Sequence, residues 1–241
     1  MNIQKIKLLK LLLVSFLLTS QVLVAQDTMA TINNGLKLAS EKKFNEAVNI
    51  FEKCLKKQTD NADLYYYLGN AYLDIFNYPK AIESFSKAIN LNATYSDAYY
   101  NRATCYIQTK EFYLAYKDYS KVMVLDPKNT YTYFLRGNCS YKLANYNDAI
   151  TDYEFLLTLS PELHEVHFDL GNAYFSLGNF EKALVAYDEA IKLNNSYSNY
   201  YFNRAVTEYN LGYTEDACAD FNNAKDLGDL ESEGYIKEFC R

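Results

Sequence analysis

Tryptophan is missing from this 241-residue chain, histidine occurs twice, proline three times and glycine eight times. Each scarcity removes a class of chemistry. His164 and His167 stand i,i+3 with Glu165 between them, so both imidazoles fall near one helix face. Zinc sites draw on three or four protein ligands, and no cysteine is close in sequence. His167 also occupies a place held elsewhere by Tyr65, Tyr99, Tyr133 and Tyr201, so packing is the expected role and no metal is expected. The pair lacks the continuation of a helical metalloprotease motif. The glycines are dispersed, whereas a phosphate cradle at a helix start needs them clustered. No nucleophile, base and orienting group recur together, so neither a catalytic set nor a cofactor is expected.

A long apolar run is also missing. Lys5, Lys7 and Lys10 precede Leu11 to Leu18, which is interrupted by Thr19 to Gln21 before Val22 to Ala25. The stretch falls short of the roughly 18–20 residues needed to span a bilayer. Residues 1–25 therefore read as a secretory signal peptide cleaved after Ala25, with an uncleaved anchor as the alternative. No cysteine follows closely, which argues against a lipid-attached start. Removing the leader leaves 21 basic against 30 acidic residues, a net charge of −9. That balance excludes a nucleic-acid footprint, which requires a basic face. The mature form is expected to be exported, periplasmic or extracellular, and not membrane-spanning.

What the chain has in abundance is periodicity. Ala47, Ala81, Ala115, Ala149, Ala183 and Ala217 are spaced by 34 residues. Aromatics four places later keep the step: Phe51, Phe85, Tyr119, Tyr153, Tyr187 and Phe221. Twelve places before each alanine the residue is Gly or Ala. Six units follow, 28–61, 62–95, 96–129, 130–163, 164–197 and 198–231. In the second, Leu64, Leu68, Ala71 and Tyr72 mark one amphipathic helix, and Ala81, Ile82, Phe85, Ala88 and Ile89 mark another. Pro79 suits a helix start, while Pro127 and Pro161 fall after second helices. Gly35, Gly69, Gly137 and Gly171 occupy the eighth place, where paired helices approach closely. Gly178 and Gly212 fall in turns, and Gly228 can end the last repeat helix.

Tyr65, Leu68-Gly69, Tyr72, Tyr78, Ala81, Phe85 and Ala88 resemble the tetratricopeptide repeat pattern, with Tyr where that family often has Trp. The first unit departs from it at Thr31 and Leu38, the sixth at Glu208. The resemblance covers residues 28–231 and implies an all-α fold, an α-solenoid of six helix-turn-helix repeats stacked as a right-handed superhelix whose concave face is formed by the first helices. Stacking is also physically required, because one unit cannot bury both of its helices alone.

After Gly228, Leu230, Tyr235, Ile236 and Phe239 supply an apolar side for a short capping helix, completed by residues 232–241. Cys54, Cys105 and Cys139 stand where other units have small residues, so buried packing is expected. Cys105 and Cys139 lie on adjacent first helices, roughly 8–10 Å apart between axes, too far for a disulfide. Cys218 and Cys240 sit on helices that should fold back antiparallel across Gly228. A disulfide is expected there, a pairing that also resembles a recurrent ending of exported bacterial repeat proteins; two free thiols are the alternative.

The repeat register nominates an inward face. Its partner-binding candidates are Tyr66, Asn70, Tyr100, Asn101, Phe134, Asn138, Tyr141, Phe168, Asn172, Phe175, Phe202 and Asn203. Aromatics would give contact area and asparagines would serve peptide backbone groups. The family's carboxylate-clamp pattern is only partly present: Asn70 and Asn101 match its amides, but Tyr66, Tyr131 and Leu135 replace its basic residues. The expected function is a noncatalytic scaffold or adaptor in a bacterial envelope, binding a peptide or helix of a partner protein. The alternatives are an assembly factor using the convex face, or a glycan-processing enzyme using carboxylates.

Overall fold

A computed structural model describes residues 29–240; the leader at 1–25 lies outside the described residues. Among these residues every regular element is helical. Two compact units are present, one ending at Thr109 and the other beginning at Lys110. The first contains α1 (29–40), α2 (Phe44–Leu55), α3 (Ala62–Asp74), α4 (Tyr78–Leu91) and α5 (Ser96–Gln108). The second contains α6 (Phe112–Leu125), α7 (Tyr131–Lys142), α8 (Tyr146–Leu159), α9 (His164–Ser176), α10 (Phe180–Leu193), α11 (Ser198–Leu211), α12 (Thr214–Asp226) and α13 (Ser232–Phe239). Within each unit, consecutive helices pack against one another.

Local chemistry starts and stops these helices. The Asn61 side chain accepts from the Leu64 amide at 3.0 Å and caps α3, and Pro79 occupies the first turn of α4, where its missing N–H costs nothing. All six turns inside the hairpins share one backbone solution. Lys42, Phe76, Lys110, Ala144, Gly178 and Gly212 have φ between 60° and 83° and occupy the same repeat place. The following amide then reaches back to the carbonyl five residues earlier, at 2.9 Å for Asn77 to Tyr72 and for Asn179 to Tyr174, satisfying a carbonyl the helix end leaves open. Only the last two repeats use glycine there. The other four accept a left-handed conformation that costs a side-chain-bearing residue roughly 1–2 kcal/mol.

The alanine ladder is the seam between paired helices. None of its six members is more than 1% exposed, and neither are the six aromatics four places on. The eighth-place glycines lie directly over these rings. A Cβ at Gly69 would stand 2.6 Å from the Phe85 ring, and one at Gly171 would stand 2.5 Å from the Tyr187 ring. The ring fills the volume that a side chain on the facing helix would need.

Ion pairs close two seams of the second unit. Arg136 donates two hydrogen bonds to Asp152, at 2.6 and 2.8 Å. Arg204 holds Asp220 in the same way at 2.6 and 2.9 Å and reaches Asp188 at 2.6 Å. Paired burial of this kind keeps each guanidinium satisfied where water is scarce.

The cap forms on the last repeat. Tyr235 stacks on Phe221 at 4.9 Å and meets Phe202 edge-on at 5.3 Å, while Phe239 lies 4.4 Å from Tyr209. Cys218 and Cys240 are joined by a disulfide with their Cα atoms 5.6 Å apart. Leu230 departs from the expectation that it packs in the cap. It sits in the α12–α13 turn and is 90% exposed, because α13 starts two residues later and presents its apolar side through Tyr235, Ile236 and Phe239.

Candidate functional site

First helices of neighbouring repeats touch within each unit, α3 with α5 in the first, and α7 with α9 and α9 with α11 in the second. In the first unit, Asn101 on α5 donates to the Asn70 carbonyl oxygen on α3 at 2.7 Å, and its amide lies 3.4 Å from the Tyr66 hydroxyl. The Tyr66 ring is half-buried between Phe85 at 5.9 Å and Tyr95 at 4.9 Å. Burial raises the Tyr100 phenol above its ordinary range.

The second unit repeats the device. Asn203 on α11 donates to the Asn172 carbonyl oxygen on α9 at 2.8 Å, and the Tyr187 hydroxyl donates to that same oxygen at 2.8 Å. Tyr153 donates to the Asn138 carbonyl oxygen on α7 at 2.6 Å. Phe168 and Phe202 lean on the core aromatics of their own repeats, Tyr187 at 5.7 Å and Phe221 at 5.8 Å. Tyr141 and Phe175 pack against Tyr146 and Phe180 across the hairpin turns, and the Tyr141 hydroxyl lies 3.3 Å from Ser176 Oγ.

Amides that join adjacent helices differ from amides waiting for a ligand, yet this ladder is only half spent. Among the described residues, the Asn70 and Asn138 amide nitrogens donate to no protein group, and the Asn101 and Asn203 carbonyl oxygens accept from none. They are partly exposed. In each unit a donor and an acceptor therefore stand on the first-helix face, with their geometry held by the half of each amide already bonded.

Phe134 is the most buried of the aromatic candidates. It is 9% exposed and belongs to the core with Tyr153, 6.1 Å away. Asp169, not among the sequence candidates, stands at the sixth place of its unit, where Asn101 and Asn203 stand in theirs. Burial pushes its carboxyl up to about 6, against the lowering pull of the Asn172 amide and the Lys142 charge. The signal available in the sequence was this exchange of Asp for Asn at one register position.

The comparisons with known proteins agree with this architecture. Residues 35–96 match the family described as tetratricopeptide repeat, residues 171–212 the one described as TPR repeat, and residues 74–156 that of anaphase-promoting complex, cyclosome, subunit 3. The chain is a tetratricopeptide repeat protein. A solved structure of MamA is similar at 24% identity and TM-score 0.66, covering 70% of this chain and 92% of that one. YrrB, described as a TPR protein with an unusual peptide-binding site, is similar at 19% identity and TM-score 0.69, covering 78% and 97%. The C-terminal part of a TPR repeat-containing protein from Cytophaga hutchinsonii is similar at 19% and 0.70, covering 81% and 78%. At these identities the likeness shows the fold alone. No curated protein matches the sequence.

Within the tetratricopeptide framework the remaining candidates have structural partners. His164 Nδ1 lies 2.8 Å from the Tyr200 hydroxyl, and His167 Nε2 lies 2.9 Å from the Pro161 carbonyl. Among the described residues no three His, Cys, Asp or Glu side chains gather into a metal-holding group. Cys54, Cys105 and Cys139 are buried free thiols, and burial pushes Cys105 and Cys139 up to about 12.

Proposed function

We propose that this tetratricopeptide repeat protein is a noncatalytic scaffold or adaptor of a bacterial cell envelope that holds an extended segment of another protein along its first-helix face. The half-spent amide ladder carries the reading. Within the second unit, the unused donor on Asn138 and the unused acceptor on Asn203 match the main-chain groups of an extended peptide, and the flanking rings of Tyr141, Phe168 and Phe175 offer apolar contact. Export is supported by the lysine-led apolar leader and by the Cys218–Cys240 disulfide, a bond that persists in oxidising compartments.

The test begins with crosslinking in the native envelope and identification of the captured segment. That segment is then titrated as a peptide while the side-chain amide resonances of Asn138 and Asn203 are followed. Movement of these resonances, with binding weakened about tenfold or more by Asn138→Leu combined with Tyr141→Ser, is expected if the face is used. Phe134 is unsuited to this test, because its loss would open the core. Unchanged affinity and unmoved amides would reject the assignment.

A further inference from the structure

Two clefts occur on the second-helix side at the same register, one in each unit. Both lie where the seventh place carries leucine rather than arginine and the twenty-third carries a small residue rather than aspartate: Leu68 with Ser84, and Leu170 with Ala186. The cleft of repeat five is the larger, about 460 Å³ against about 320 Å³. Its floor is Leu157, Leu170, Tyr174 and Ala186. Beside that hole stands a knob, Val185, a β-branched side chain left 64% exposed.

We infer that repeat five docks a second copy of this chain through α10, as an isologous pair. A two-fold contact requires one patch that complements itself. For two antiparallel α10 helices related by an axis between Val185 and Ala186, residues whose numbers are equally displaced from that point meet. Val185 then enters the cleft of the partner subunit over its small Ala186. Lys182 meets Glu189 of the partner subunit, and symmetry makes the pair twice. Both groups are available. Lys182 rests over the Tyr174 ring at 5.2 Å, and among the described residues Glu189 holds only the exposed Lys192, at 2.9 Å, an exchangeable surface pair.

Repeat two shows why the same backbone selects one site. At the equivalent places it has Glu83 for Val185, Ser84 for Ala186 and Lys87 for Glu189, while Lys80 remains lysine. The same two-fold arrangement would drive Lys80 against Lys87 of the partner subunit and place a carboxylate over the hole. Lys87 is already held by Glu83 at 2.7 Å and lies over the Tyr65 ring at 5.6 Å. The knob is absent and the rim repels its own copy.

Sedimentation equilibrium of the purified chain tests the pairing. A monomer–dimer equilibrium is expected, with Val185→Glu sedimenting as monomer and Glu189→Lys raising the dimer dissociation constant about tenfold or more by setting like charges against each other. Combining Lys182→Glu with Glu189→Lys reverses both signs and should restore the dimer. Circular dichroism checks that the variants fold, and since Lys182 and Val185 are exposed and Glu189 is half-exposed, loss of fold is an unsuitable explanation. A chain that remains monomeric throughout the micromolar range, or a dimer indifferent to both Val185→Glu and Glu189→Lys, overturns the proposal. The first-helix peptide site is separate, so Val185→Glu should leave peptide affinity unchanged.

Discussion

Repeats five and six are built on the same 34-residue frame but fill one seam in opposite ways. Repeat five leaves Leu170 facing Ala186 beside an apolar cleft, whereas repeat six places Arg204 against Asp220 and draws in Asp188. Two substitutions sixteen residues apart separate an open apolar cleft from a buried ionic bridge. The frame therefore sets where helices meet, and the residues at these two places set whether the meeting point is closed or open to a partner.

The largest disturbance should come from removing one half of the bridge. Asp220→Ala takes the two-bond partner from the 20%-exposed Arg204 side chain and leaves it Asp188 and, at 4.0 Å, Glu208; breaking a buried pair by removing one partner costs up to about 3–5 kcal/mol. Urea unfolding followed by circular dichroism measures the loss. The double replacement Arg204→Leu with Asp220→Ala recreates the repeat-five pair, and its cost should be well below that of the single change. Equal losses would show that the bridge is more than a filler of the seam.

Repeat six also carries the disulfide, which repeat five does without. Cys218→Ser should cost about 3 kcal/mol by freeing the unfolded chain from a closed loop. Hydrogen exchange is expected to accelerate in α12 and α13 and to remain unchanged in α9 and α10. Uniform acceleration would mean that the repeats unfold together.

A third difference lies at the eleventh place, where Tyr174 of repeat five bonds to Glu154 and repeat six has Glu208. Burial, reinforced by Asp220, Asp216 and Asp188 and opposed by Arg204, pushes the Glu208 carboxyl up to about 7 from 4.5. A carboxyl raised on folding binds its proton more tightly in the folded state. Its contribution is full below about pH 4.5 and is lost as pH rises through about 7, a swing of about 2 kcal/mol after discounting for screening. Glu208→Gln should flatten that part of the stability profile. A wild-type profile rising over the same window would contradict the sign.

The smallest effect belongs to the turns. Ala144 holds φ at 60°, where repeats five and six have Gly178 and Gly212. Ala144→Gly should therefore stabilise by about 1 kcal/mol, relieving a conformation that glycine adopts freely. A lower melting temperature would show that the Ala144 methyl contributes packing that outweighs the strain.

Much of the scaffold was legible because it depends on repetition. The alanines, the eighth-place glycines and the aromatics four places on each name a contact that recurs, so one geometry explains all of them. The turns were legible only in part: Gly178 and Gly212 pointed to a left-handed residue, while Lys42, Phe76, Lys110 and Ala144 hold the same backbone without that signal. Features specific to single repeats were harder to see. Asp169 looked like one more polar helix residue until its register placed it with Asn101 and Asn203. The Arg136–Asp152 and Arg204–Asp220 pairs share a sixteen-residue spacing, but a helical hairpin is needed to turn that spacing into contact. Leu230 read as apolar cap material, and hydrophobicity alone could not say that the helix would begin beyond it.

The buried thiols give the fold an internal clock. Cys54, Cys105 and Cys139 sit in different repeats, and none is more than 3% exposed. An alkylating reagent attacks the thiolate, so each cysteine must wait for its own surroundings to open before it reacts. Because Cys218 and Cys240 are already joined, three labelling rates on the unmodified protein would time the opening of three separate parts of the array.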